Sequence, residues 1–159
     1  MIIPKIISHR GYWIEPLEKN SLKAFIRSFE NGCGVELDIR YIDGNLIVSH
    51  DHPSGKESLF FKAVIDYWEK YIDDKNTPKI AINIKEDGLR DELQKIISKE
   101  YQKYTFVFDM SIPDTIPFML SDFPFFTRQS EYEPNPNLYD ACTGVWLDEF
   151  KDSWISGRI

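Results

Sequence analysis

Three observations predict an α/β protein built on parallel strands, in the manner of a β/α (TIM-type) barrel. Short apolar runs with strand alternation are separated by helical patterns of roughly 10 to 15 residues. Polar side chains (His9, Asp38 and Arg40, Lys85, Asp109, Arg128, Asp148) stand at the carboxyl ends of those runs, where such a barrel assembles its site. The 159 residues, 42% hydrophobic, suffice for one good core, and nothing suggests a second domain. Six strands of this kind are countable where a closed barrel has eight. The expectation is therefore a single domain over residues 1–159, an incomplete barrel lacking the last strands, with a β-hairpin inserted after the second strand.

Lys5 to Ser8, bounded by Pro4 and the His9-Arg10-Gly11 turn, reads as a buried first strand. A loop from Gly11 to Lys19 carries Tyr12, Trp13 and Pro16. Asn20 or Ser21 then caps a helix on which Leu22, Phe25, Ile26 and Phe29 recur at i, i+3, i+4 and i+7, and Gly32 or Gly34 ends it. In the second strand, Val35, Leu37, Ile39 and Tyr41 form one row, and Glu36, Asp38 and Arg40 the opposite one. Asp43-Gly44 signals a tight turn, after which Leu46 to Ser49 returns and carries His50 back towards Glu36 and Asp38.

The next helical pattern runs from Glu57 to Ile72 through Leu59, Ala63, Val64, Tyr67, Trp68 and Tyr71. Lys79 to Lys85 alternates Ile80, Ile82 and Ile84 against Ala81, Asn83 and Lys85. Leu89 to Tyr101 is helical again, with Leu89, Leu93, Ile96 and Ile97 as its stripe. Thr105 to Phe108 is a strand ending at Asp109, and Ser111 caps a short helix with Pro113 in its first turn and Pro117 bending or limiting it. Phe123 to Thr127 and Gly144 to Leu147 are two more strands, and Ser153 to Ile159 starts another helix.

A net charge of -7 disfavours nucleic acid as a partner through bulk electrostatics, although a local basic pocket can still hold one phosphate. The amino terminus lacks the features of a signal peptide, and no apolar run approaches the roughly 20 residues that span a bilayer. A soluble, cytoplasmic protein without a transmembrane segment is the expectation. Cys33 and Cys142 have no CxxC spacing, so a structural zinc site is not expected, and two reduced, packed thiols are.

The charged row of the second strand calls for an explanation. Two buried carboxylates at i and i+2 repel each other and lose hydration unless a cation or hydrogen-bond donors meet them. A divalent metal is the economical answer, and a solvated edge strand the plain one. Nearby, His9-Arg10-Gly11 and Ser49-His50-Asp51 each end an apolar run, so two histidines, an arginine and two carboxylates gather at strand ends. His52 reads as an exposed loop residue. Tyr12, Trp13 and Trp146 either line an alcohol pocket or pack in the core. Arg128, Glu131 and Asp148 read as a salt-bridged rim.

These motifs resemble the glycerophosphodiester phosphodiesterase family, among the phospholipase-C-like phosphodiesterase barrels. That family carries His-Arg-Gly after its first strand, Pro-Glu-Asn opening the first helix, Glu-x-Asp on the second strand and His-Asp after a short hairpin. His9-Arg10-Gly11, Glu36-Leu37-Asp38 and Ser49-His50-Asp51 match in order and spacing, whereas Lys19 stands before Asn20 where a glutamate is usual. The matches lie in the first third of the chain.

The resemblance implies roles. Glu36 and Asp38 would hold a divalent ion, magnesium or calcium given hard oxygen donors. His9 and His50 would form the acid-base pair, and Arg10 and Lys85 would face the phosphate. Asp51 and Trp146 are secondary candidates. Asn83 stands where the family has a further metal-binding glutamate, so one negative charge is lost while a carbonyl oxygen remains. The implied substrate is a small phosphodiester, attacked by water or by its own neighbouring hydroxyl. The competing class is a phosphate-binding module or a truncated remnant, and a homodimer or partner chain would cover an open barrel edge.

Overall fold

The computed structural model describes residues 5–53, 58–73, 75–151 and 153–155. Strands and helices alternate: β1 (Ile7–His9), α1 (Leu22–Glu30), β2 (Gly34–Ile42), β3 (Asn45–Val48), β4 (Leu59–Phe60), α2 (Phe61–Trp68), β5 (Ile80–Ile84), α3 (Arg90–Ile96), β6 (Thr105–Phe108), α4 (Ile112–Met119), β7 (Phe126–Gln129) and β8 (Gly144–Leu147).

The sheet is organised by β2. Its first residues pair in parallel with β1, from Ile7 opposite Gly34 to His9 opposite Glu36. Its last residues pair antiparallel with β3, from Ile39 opposite Val48 to Ile42 opposite Asn45. Parallel β5 takes the other edge along Val35 to Ile39, and β6 follows β5. A parallel bridge between Val107 and Phe125 leads from β6 to β7, which pairs in parallel with β8. The parallel strands thus follow chain order across the sheet, as in the wall of a β/α barrel. Among the described residues no pairing joins β8 to β1, so they do not close a barrel.

Burial explains the alternation. One face of β2 and β5 (Val35, Leu37, Ile39, Ile80, Ile82 and Ile84) packs against Phe25 and Phe29 of α1, Phe61, Val64 and Trp68 of α2, and Leu93 of α3. Helix α1 forms as its periodicity dictates: Ser21 caps it by accepting from Ala24 N, and Gly32 follows its end at φ +68°. The opposite face of the sheet holds a smaller cluster of Ala81, Phe106 and Phe108 against Ile7, Phe126 and Trp146. Asp43 (φ +49°) and Gly44 (φ +83°) form the two-residue turn between β2 and β3, the left-handed geometry that favours this pair of residue types.

Two helices differ from expectation. Within the pattern from Glu57 to Ile72, Leu59 and Phe60 are extended and pair with β3; α2 begins at Phe61 and tightens to a 3-10 turn over Glu69–Tyr71. Glu57 lies outside the described residues. Apolar spacing cannot separate a two-residue strand from the helix it runs into. The pattern from Leu89 to Tyr101 is helical only to Ile96. Ile97 turns extended, and the buried Gln102 side chain donates to its carbonyl at 3.3 Å, replacing the helical bond. The strand expected from Phe123 begins at Phe126, because Phe123 and Phe125 pack into the helix-side core. Of the expected last helix, residues 156–159 lie outside the described residues. No helix among the described residues is long and apolar enough to cross a membrane.

Candidate functional site

The turn after β1 shapes the site. Arg10 (φ +55°) and Gly11 (φ +83°) are both left-handed, and a Cβ on Gly11 would stand 2.8 Å from Ala24 Cβ and 2.9 Å from Phe25 Cδ1. Only glycine satisfies both demands there. The turn leaves the His9 side chain 70% exposed and directs Arg10 over β2. Arg10 donates its backbone N–H to Glu36 Oε2 at 3.1 Å, and His9 Nε2 lies 3.8 Å from the same oxygen. Burial, followed by the charge of Arg10, holds His9 below its ordinary pKa.

Asp38, fully buried, is surrounded by donors and cations. Asn20 Nδ2 donates to its Oδ2 at 2.7 Å, Arg10 Nε stands 3.1 Å from Oδ2, and Lys85 Nζ stands 3.1 Å from Oδ1. Glu36 is less well served: among the described residues it accepts from Arg10 N and, at 3.4 Å, from Asn83 Nδ2. Its burial, followed by the charge of Asp38, pushes its carboxyl up to about 7. The two conditions foreseen for the acidic row are thus met unequally. Asp38 is matched by cations, and Glu36 is left with neutral donors.

From Asp38 the charges alternate along the strand ends. Lys85 also lies 3.7 Å from Asp109 Oδ2, Asp109 pairs with Arg128, and Arg128 pairs with Glu133. Asp109 adopts φ +67°, and Asn20 φ +56°. Left-handed residues that are not glycine are uncommon, and three of them, Arg10, Asn20 and Asp109, touch this network.

His50 comes to the same region through β3. Its carbonyl accepts from Arg40 Nε at 3.1 Å and Nη2 at 2.8 Å, and its Nδ1 lies 2.9 Å from Asp51 Oδ1. Together with Arg10, Lys19, Asn20 and Val48, His50 lines a cleft of about 630 Å³. His9 reaches the cluster through Glu36 and is not part of that cleft's lining. Trp146 stacks on Phe108 at 4.1 Å and donates to Asp148 Oδ1 at 2.9 Å, so it serves the inner apolar cluster. His52 is exposed.

Of the two cap candidates, Asn20 and Ser21, it is Ser21 that caps the helix, which frees Asn20 to reach Asp38. The signal available in the sequence was an asparagine, tolerant of positive φ, directly before a better cap. Asp109 and Arg128 were visible as strand ends, but their pairing through Lys85 to Asp38 was not.

The oxygens of Glu36, Asp38 and Asn83 suit a hard divalent cation. Asp38 and Asn83 face each other across the β2–β5 ladder; Asn83 Oδ1 is buried without a hydrogen-bond donor, and Asp38 Oδ1 meets Lys85 as an ion pair without an aligned hydrogen bond. Among the described residues no group of three His, Cys, Asp or Glu side chains is placed to hold a metal.

No protein-family model and no curated protein matches the chain. Among solved structures it resembles a glycerophosphodiester phosphodiesterase from Agrobacterium tumefaciens str. C58, with a TM-score of 0.61 and 18% identity over 79% of this chain and 67% of that one. It also resembles a protein from Silicibacter pomeroyi DSS-3 assigned by name to glycerophosphoryl diester phosphodiesterases, with a TM-score of 0.57 and 14% identity over 86% of this chain and 67% of that one. At these identities the likeness is one of fold.

Proposed function

We propose that this chain is a phosphodiester hydrolase of the glycerophosphodiester phosphodiesterase kind, acting at the carboxyl ends of β1, β2 and β5. The observation that carries the reading is Asp38, buried between Arg10 and Lys85, with Glu36 beside it 3.8 Å from His9. Cleaving a phosphodiester requires deprotonation of a nucleophile, protonation of a leaving alkoxide and stabilisation of charge on phosphorus. Arg10 and Lys85 supply fixed positive charge for the phosphoryl oxygens. His9 and His50 divide the proton transfers, since imidazole titrates near neutrality. Asp51 at Nδ1 of His50 favours the tautomer whose Nε2 is free for that work.

Glu36, Asp38 and the Asn83 carbonyl would hold magnesium or calcium, which, when bound, adds Lewis-acid stabilisation of the developing charge. The cleft lined by Arg10 and His50 has room for a small alcohol group. The second reading, a phosphate-binding module, is favoured by Asn83, which removes a carboxylate from the ligand set.

Purified protein with magnesium or calcium is expected to hydrolyse glycerophosphocholine or bis(p-nitrophenyl) phosphate. His9→Ala and His50→Ala should each slow it by about 10²-fold or more. Activity unchanged in both variants refutes the roles assigned. Binding of a phosphodiester without turnover favours the second reading.

A further inference from the structure

We propose that cation binding at Glu36, Asp38 and Asn83 and phosphate binding by Arg10 and Lys85 strengthen each other through exchange of partners on Asp38. This rests on the reading above and adds a regulation to the same site. The two side chains that a phosphodiester needs are the two ion-paired to the carboxylate that a metal needs. Arg10 Nε lies 3.1 Å from Asp38 Oδ2 and Lys85 Nζ 3.1 Å from Oδ1, with Asp38 fully buried between them.

Prior pairing makes the exchange consequential. Asp38 already meets two cations, Arg10 and Lys85, before any ligand arrives. A divalent cation arriving alone meets two positive side chains already on its carboxylate, and a phosphate arriving alone has to draw those cations away from a buried anion. Either ligand leaves a buried group without its partner, and the other ligand supplies that partner. Arriving together, the cation takes Asp38 while Arg10 and Lys85 turn to the phosphate.

The fold provides for the move. Asp109 Oδ2, 3.7 Å from Lys85 Nζ, is a second carboxylate for the ammonium when it leaves Asp38, and Arg128 on the far side of Asp109 keeps that carboxylate in place. Arg10 keeps its backbone N–H on Glu36 Oε2, so its guanidinium can turn without releasing the chain.

Calorimetric titration of the full chain tests this. Magnesium is titrated with and without saturating dimethyl phosphate, a diester with no neighbouring hydroxyl, and dimethyl phosphate with and without saturating magnesium. Each ligand is expected to lower the dissociation constant of the other by the same factor, about 5- to 150-fold. In Lys85→Met, magnesium alone should bind more tightly than to the wild type, and the factor should shrink. Lys85→Arg, which keeps the charge and the pairing, should retain it and guards against a folding defect in the first variant.

Dissociation constants that do not respond to the second ligand overturn the inference while leaving the site intact. A factor undiminished in Lys85→Met means direct contact between ion and phosphate, and overturns the exchange on Asp38. If neither ligand binds, the functional reading itself fails.

Discussion

Glu36 offers the sharpest quantitative test, through the pH dependence of stability in the presence of a chelator. Its carboxyl titrates near 4.5 when unfolded and is pushed up to about 7 in the fold, chiefly by burial and then by Asp38. A carboxyl raised on folding makes the native state hold the proton more tightly than the unfolded chain. Between the two values the native state therefore binds more protons, and stability falls as pH rises. The contribution is complete below about pH 4.5 and lost by about pH 7, and at about 1.4 kcal/mol for each tenfold it amounts to about 3 kcal/mol. Urea denaturation of the wild type and Glu36→Gln, from pH 4.5 to 8, reads it directly, because subtracting one curve from the other removes the titrating groups that do not interact with Glu36. The variant is expected to gain on the wild type by about 3 kcal/mol across that window. Two parallel curves would mean that Glu36 is not held in a desolvated, like-charged setting, and the electrostatic account of the site would be wrong.

Other perturbations have equally definite outcomes. Gly11→Ala meets Ala24 and Phe25 at a left-handed position and should lose roughly 2 to 4 kcal/mol in urea, whereas Gly88→Ala (φ +89°), with open space beyond its Cα, should lose only about 1 to 2 kcal/mol. Trp68→Phe removes the buried indole bond to the Pro78 carbonyl at 2.9 Å and should cost about 1 to 3 kcal/mol without altering phosphate binding by calorimetry. Asn83→Glu adds a third carboxylate beside Glu36 and Asp38; magnesium should bind on the order of tenfold more tightly, while the chelated protein loses roughly 1 to 3 kcal/mol in urea.

What could be read in advance follows physical lines. Strong periodicity located α1, β2, β5 and β6, because each buries a complete face whose residues recur at helical or strand spacing. Asp43-Gly44 located the hairpin because few other pairs accept two positive φ values in succession. The helices starting at Phe61 and Arg90 were read too long, since a strand pairing at Leu59 and a side-chain bond from Gln102 are tertiary events that local spacing does not encode.

The site divides in the same way. Glu36, Asp38, His9 and Arg10 were legible, because adjacent parallel strands place their ends side by side. The pairings of Asp38 with Asn20 and Lys85, and of Lys85 with Asp109, were not, because these residues come from separate connections, with left-handed backbone at Asn20 and Asp109. The cation or donors that the acidic row calls for include lysine, arginine and asparagine side chains on Asp38, which the spacing of the strand itself does not name.

A crystal soaked with manganese and dimethyl phosphate, with anomalous scattering collected for the metal, tests the account most directly. The account predicts one metal peak within about 2.0 to 2.6 Å of side-chain oxygens of Glu36, Asp38 and Asn83, with the phosphate beside it on Arg10 and Lys85. Metal and phosphate bound elsewhere, with Arg10 and Lys85 still paired to Asp38, would contradict it.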